Sequence, residues 1–112
     1  MFIKNKSFIL SKDENQSGIP KGFHLEQNTP NPFNTQTTIY FTIPRQCKIK
    51  LVVYCRLEDP VSVLYDGELS PGSYKITWNG SDNEGQHLKA SDYIYFLVTE
   101  GFVASRKMTV KY

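Results

Sequence analysis

The residue types that most often do chemistry are sparse in this chain of 112 residues, which has two histidines and two cysteines. His24 and His87 do not share the spacing of metal ligands, and a zinc site needs more ligands than they provide. Serine, histidine and aspartate all occur, but neither a Gly-x-Ser-x-Gly elbow nor a metal-binding histidine motif accompanies them. We therefore expect a protein that is not an enzyme and that uses no metal and no cofactor.

One polar cluster and one tryptophan have a second possible role. Residues Asp82–Gly85 resemble part of a calcium loop, but they lack the spaced carboxylates and the terminal glutamate of a full site. A hairpin turn is the favoured interpretation. Trp78 could stack on a sugar, but its alternation with Tyr74 and Ile76 favours a place in the core.

The two cysteines are expected to remain unpaired with each other. Cys47 and Cys55 lie in what reads as one continuous strand, so their Cα atoms should be about 26 Å apart at the rise of a strand. A disulfide needs Cα atoms within about 7 Å. Both side chains are expected to act as small, partly buried apolar groups.

The charge of the chain argues against several classes of partner. The net charge is +2, and it arises in residues 1–22, because residues 23–112 contain nine basic and nine acidic residues. Without a basic stripe interleaved with aromatics, nucleic-acid binding is not expected. No apolar run approaches the length of about 20 residues that membrane insertion needs. The apolar run Phe8–Leu10 is too short for a signal peptide.

The strand and turn pattern predicts the domain organisation. Residues 1–22 are expected to be a flexible N-terminal segment or linker, with Phe8–Leu10 as an exception that can add to a sheet edge. Residues 23–112 alternate between period-2 apolar runs and turns. The expected fold class is all-β, an Ig-like Greek-key β-sandwich of about seven strands. Its predicted core contains Phe33, Phe41, Leu51, Val53, Ile76, Trp78, Tyr95 and Met108.

Several motifs occur in an order that is specific when taken together. The first is Pro30-Asn31-Pro32-Phe33, in which each proline fixes φ and lacks an N–H. The others are Lys48–Tyr54, Leu64–Gly72, Tyr74–Gly80, Asp82–Gly85, Tyr93–Tyr95, Gly101–Val103 and Lys107–Met108. In this order the chain from about residue 23 resembles the C-terminal sorting domains of the type IX secretion system. Those domains are related to the Ig-like domain of the flagellar hook-capping protein.

The resemblance also has two departures. The family usually turns with glycine where this chain has Glu58-Asp59-Pro60, and it has Ser-Gly where this chain has Ala90-Ser91-Asp92. Glycine reaches positive φ at little cost and these residues do not, so we expect remodelled or strained turns there.

The resemblance implies a non-catalytic domain that directs an attached cargo protein to secretion. Its expected partner is the protein secretion machinery of the outer membrane, and its expected location is secreted or cell-surface, as part of a longer precursor that supplies the signal peptide. The family motifs that the machinery would read are Pro30–Phe33, Gly101–Val103 and Lys107–Val110. The alternative for these segments is that they simply close the sandwich. The alternative function is a structural or adhesive Ig-like domain that binds proteins or glycans.

The strand around Tyr93–Thr99 predicts a surface for that partner. It is apolar on both faces, and only one face can point into a two-sheet core. We expect the Ile94–Phe96–Val98 face to combine with Lys107–Val110 as the partner surface, unless the N-terminal segment or a loop covers it. The last strand, Phe102 to Tyr112, can also present a free edge for strand addition. The candidate recognition residues are Pro30, Asn31, Pro32, Phe33, Ile94, Phe96, Val98, Gly101, Phe102, Val103, Lys107, Met108 and Val110.

Overall fold

The computed structural model describes residues 8–13, 18, 20–56 and 59–112, which form eight β-strands. In chain order these are β1 (Phe8–Lys12), β2 (His24–Leu25), β3 (Thr37–Ile43), β4 (Cys47–Arg56), β5 (Asp59–Leu69), β6 (Gly72–Trp78), β7 (Ser91–Thr99) and β8 (Phe102–Val110). Across these residues no helix is long and apolar enough to cross a membrane.

The strands form two sheets of four, and every pairing between strands is antiparallel. The first sheet has the order β1-β6-β3-β2 and the second has the order β5-β4-β7-β8. The chain crosses between sheets after β3, β5 and β6, so that β6 returns to pair with β3 and β7 returns to pair with β4. This connectivity is that of an Ig-like Greek-key β-sandwich, which confirms the predicted fold class.

The alternation of apolar residues in the sequence explains which side chains of each sheet point into the core. Both β3 and β6 alternate buried and half-buried residues along their whole length. Ile39 lies opposite Ile76, and Phe41 lies opposite Tyr74, with their rings stacked at a centroid distance of 5.6 Å. All eight predicted core residues are buried, and Trp78 and Tyr95 are among the largest fully buried side chains. The predicted core is therefore confirmed.

The additional strand is β1, which lies inside the segment expected to be a linker. It pairs with β6 over five residues, so that Leu10 lies opposite Ile76. Leu10 packs against the core, whereas Ile9 is 68% exposed. The sequence allowed an edge strand only at Phe8–Leu10. Ser11 and Lys12 extend it because main-chain pairing with an open edge requires no apolar side chain.

The sequence predicted remodelled or strained backbone at the two turns that depart from the family pattern. Of Glu58-Asp59-Pro60, residue 58 lies outside the described residues, whereas Asp59 and Pro60 begin β5. Ser91 and Asp92 instead begin β7 in regular pairing with Val110 and Thr109. Among the described residues every positive φ belongs to a glycine, so Ala90-Ser91-Asp92 carries no strain of that kind.

Candidate functional site

A buried polar network holds the turn that contains Pro30 and Pro32. Asn28 is 2% exposed, and its Nδ2 donates hydrogen bonds to Thr37 Oγ1 at 2.9 Å and to the Pro30 carbonyl at 3.2 Å. Thr37 Oγ1 donates to the same Pro30 carbonyl at 2.9 Å. The peptide bonds before both prolines are cis. Because the two prolines have no N–H, the turn is fixed by side chains on either side of it, Asn28 before it and Thr37 at the start of β3.

The same turn is bonded directly to the last strand. Phe33 donates its backbone N–H to the Thr109 carbonyl at 3.1 Å and accepts from the Lys111 N–H at 2.9 Å. Asn31 Oδ1 accepts from the Thr109 N–H at 2.9 Å. Phe33 and Val110 thus form a short parallel bridge. The structure brings together two segments that the sequence proposed separately, Pro30–Phe33 and Lys107–Val110.

Only some of the candidate residues are accessible to a partner. Pro30, Asn31, Pro32 and Lys107 are exposed around this junction. Phe33, Met108 and Val110 are buried, with at most 3% of each side chain exposed. These buried side chains close the sandwich, so a partner docking on the intact fold would meet their backbones and their exposed neighbours.

The third family segment, Gly101–Val103, lies at the opposite end of β8. With the rise of a strand, this places it about 26 Å from Val110. Gly101 has a φ of 91°, which the tight turn between β7 and β8 requires. Phe102 stacks on Phe23 with centroids 4.9 Å apart. The structure therefore does not join this segment to the Pro30–Phe33 turn.

The outward face of the second sheet carries an apolar patch. Across β4 and β7, Val52 lies opposite Phe96 and Tyr54 lies opposite Ile94. The rings of Tyr54 and Phe96 meet edge to face with centroids 5.5 Å apart. Val98 is 39% exposed beside them. We call these five residues the outer apolar face.

The rival expectation, that a loop or the N-terminal segment covers this face, does not apply to the described segments. There β1 joins the first sheet, and the connection after β6 pairs with the far edge of β5 through Asn83, Val61 and Val63. A shallow open groove runs over the outer apolar face beside Lys50. The predicted apolar patch therefore lies on this face, where Val98 is exposed, Tyr54, Ile94 and Phe96 are half-buried, and Val52 is buried beneath them.

Sequence reasoning missed Val52 and Tyr54 as parts of this patch. The run Leu51-Val52-Val53 contained the signal. Successive side chains in a strand point to opposite faces, so if Leu51 and Val53 point inward, Val52 must point outward. The asparagines of the turn do indicate side-chain hydrogen bonds to its backbone, which Asn28 makes to the Pro30 carbonyl. The burial of Asn28 was not predicted, because it follows from contacts that no local pattern encodes.

The two histidines and the Asp82 carboxylate, which the sequence raised as possible ligands, make contacts within the fold. His24 pairs with Glu26 at 2.9 Å on the surface, and the His87 ring contacts the Tyr112 hydroxyl. Asp82 Oδ1 accepts from the backbone N–H groups of Glu84 and Gln86, both at 2.9 Å. The carboxylate at the start of the Asp82–Gly85 cluster thus closes its own turn. Among the described residues, no group of three or more metal-ligating side chains is gathered.

Among the described residues, burial raises the pKa of three tyrosines, Tyr74, Tyr93 and the most deeply buried, Tyr95. The Tyr95 hydroxyl donates to the Glu26 carbonyl at 2.6 Å, which links the second sheet to the edge of the first. Burial raises the pKa of Tyr95 above its ordinary value, and a backbone hydrogen bond with Asn28 opposes that shift. Cys47 and Cys55, at either end of β4, are half-buried free thiols.

Comparison of the chain with protein-family models and with curated proteins found no match.

Proposed function

We propose that this chain is a non-catalytic sorting module that an outer-membrane export machinery recognises as a folded unit. The observation that supports this most is the junction between the Pro30–Phe33 turn and the end of β8. Two motifs of the sorting-domain pattern, which are far apart in sequence, form one bonded structure. A machinery that reads the folded domain would encounter both at once.

The outer apolar face supplies the second element of the proposal. Apolar patches that stay exposed on a small soluble domain commonly mark partner sites. Phe96 and Val98 lie on a rigid central strand that pairs with β4 on one side and β8 on the other. The partner would therefore meet a preformed surface and would not have to order a loop.

The test is export of a reporter that carries its own signal peptide and bears the full chain at its C-terminus. The host has the type IX secretion system. The fusion should appear in the medium or on the cell surface, and the reporter alone should stay in the periplasm. If the fusion also stayed in the periplasm while folded, the sorting role would be wrong. An adhesive Ig-like role would then be the better account.

A set of variants localises the recognition surface. Ile94→Thr combined with Phe96→Ser replaces two of the five residues of the outer apolar face and should reduce export. Tyr40→Ser is the matched control, because Tyr40 is a half-buried residue between the core positions Ile39 and Phe41 on the other sheet. Circular dichroism must show that each variant folds. If the double variant were exported as well as Tyr40→Ser, the outer apolar face would not be the recognised surface.

A further inference from the structure

The edge of β8 has a closed half and an open half. In an antiparallel pair, the backbone N–H and C=O groups of alternate residues point away from the partner strand. The backbone groups of Thr109 point away from β7, toward Asn31 and Phe33. By the same alternation, those of Lys107, Ser105 and Val103 also point to the outside of the second sheet.

The chain's own turn fills the C-terminal end of that edge, and β2 of the first sheet lies close to β8 without pairing with it. The Lys107 carbonyl accepts from Gln27 Nε2, and Thr109 is bonded as described above. Within the described part of the chain, three N–H groups on the other half have no partner: those of Val103, Ser105 and Lys107. The Val103 carbonyl is also open, whereas the Ser105 carbonyl accepts from Arg106 Nη1 at 2.7 Å. The row from Val103 to Lys107 therefore offers three N–H groups and one carbonyl, and its five residues match the length of an ordinary strand.

Charge favours one kind of occupant for this row. Strand β8 and the two residues after it contain Arg106, Lys107 and Lys111 and no acidic residue. Nearby, Asp92 accepts from Thr109 Oγ1 at 2.8 Å, Glu26 contacts His24 at 2.9 Å, and Glu100 lies in the turn before Phe102. Positive charges on an edge oppose its pairing with a second copy of the same edge. The same charges attract an acidic segment.

The side chains beside the open row favour an occupant that is also apolar on one face. Val103 is 62% exposed and lies opposite Val98, so it continues the outer apolar face to the very edge of the sheet. An added strand would place alternate side chains next to Val103 and above the outer apolar face.

We propose that the open half of β8, from Val103 to Lys107, binds an extended acidic segment of a partner protein by strand addition. The backbone groups supply the main-chain pairing, Arg106 and Lys107 select negative charge, and Val103 receives apolar side chains. The chain itself already uses this edge in that way, since Phe33 pairs with it through two backbone hydrogen bonds. Such a site could be used in export or in adhesion. Failure of the sorting role would therefore not contradict this binding site, and failure of the binding site would not contradict the sorting role.

The test uses the full chain and a synthetic peptide of about eight residues, the length of an ordinary strand. In this peptide Val alternates with Thr, and Asp residues are placed near one end. The control peptide has Lys in place of Asp. Binding is followed by the amide NMR shifts of Val103, Ser105 and Lys107. The acidic peptide should shift these amides saturably, and the lysine peptide should bind at least about tenfold more weakly.

Two variants at one position separate main-chain pairing from other modes of binding. Ser105→Pro removes an N–H that points outward, which an edge strand tolerates, and should weaken binding by about tenfold. Ser105→Thr keeps the N–H and should bind like the unaltered chain. If Ser105→Pro failed to fold, Lys107→Glu should still weaken binding of the acidic peptide.

Three results would overturn the proposal. The first is no binding of the acidic peptide up to about 1 mM, the limit of a weak complex. The second is equal binding of the acidic and lysine peptides, or shifts confined to other strands. The third is dimerisation of the chain without peptide that Ser105→Pro abolishes, because the occupant would then be a second copy.

Discussion

Phe33 packs against Trp78 with ring centroids 5.9 Å apart and planes tilted by 53°. This contact anchors the proline-rich turn to the core, because Trp78 is fully buried and its Nε1 donates to the Ser81 carbonyl at 3.1 Å. The turn is therefore held at both of its faces, by Trp78 inside the sandwich and by the backbone of β8 at its edge.

Removing either ring should destabilise the domain strongly. We expect Trp78→Ala and Phe33→Ala each to lower the free energy of unfolding by about 3–5 kcal/mol, the usual cost of deleting a buried aromatic ring. The double variant should lose less than the sum of the two, since both changes open the same cavity. Urea unfolding measures these differences. Phe33→Leu is the control and should cost clearly less.

The buried amide of Asn28 should be coupled energetically to Thr37. Asn28→Ala removes the donor to Thr37 Oγ1 and one of the two donors to the Pro30 carbonyl, so we expect the free energy of unfolding to fall by about 1–3 kcal/mol. A double-mutant cycle with Thr37→Val should give a coupling energy of about 0.5 kcal/mol or more. Asn34→Ala is the control, because Asn34 is exposed and its effect should stay within about 0.5 kcal/mol. Strict additivity in the cycle would contradict the network.

Strand β1 should contribute measurably to stability, although its sequence reads as the start of a linker. Leu10→Thr should lower the free energy of unfolding by about 1 kcal/mol, because Leu10 packs against the core. Ile9→Thr in the same strand should have almost no effect, since Ile9 is 68% exposed. Thermal unfolding of the two variants distinguishes them. Equal, negligible effects would mean that β1 is not held in solution.

Stability should fall at alkaline pH because of Tyr95. Burial raises the pKa of Tyr95 above its ordinary value of 10.0. The folded state therefore keeps a proton that the unfolded chain loses, so the free energy of unfolding decreases as pH rises above about 10. Below that pH the term is constant.

Urea unfolding between pH 8 and pH 11, with Tyr95→Phe as the control, measures this slope. The variant should be less stable near neutral pH, because it lacks the hydrogen bond to Glu26, but its stability should fall less steeply above about pH 10. Identical slopes for the two proteins would exclude Tyr95 as the cause.

The sequence predicted those parts of the fold that depend on local alternation. Strands such as β3 and β6 follow directly from apolar residues at every second position. The bridge between Phe33 and Val110 could not be predicted in this way, because it joins backbone groups that are distant in sequence and independent of side-chain type.

The sequence also could not predict which part of the β8 edge is open. The sequence favours a free edge along the last strand, Phe102 to Tyr112, but the C-terminal part of that edge is occupied by Gln27, Asn31 and Phe33. The open row lies toward Val103 instead. Which half is open depends on where a turn from the other sheet docks, and no local pattern encodes that position.

The most direct test of the sorting role is the dependence of export on the machinery itself. The reporter that bears the full chain is expressed in a host with the type IX secretion system and in the same host without its outer-membrane translocon, and the secreted fraction is measured in both. We expect secretion in the first host and retention of the folded fusion in the periplasm of the second. Equal secreted fractions in the two hosts would contradict the account.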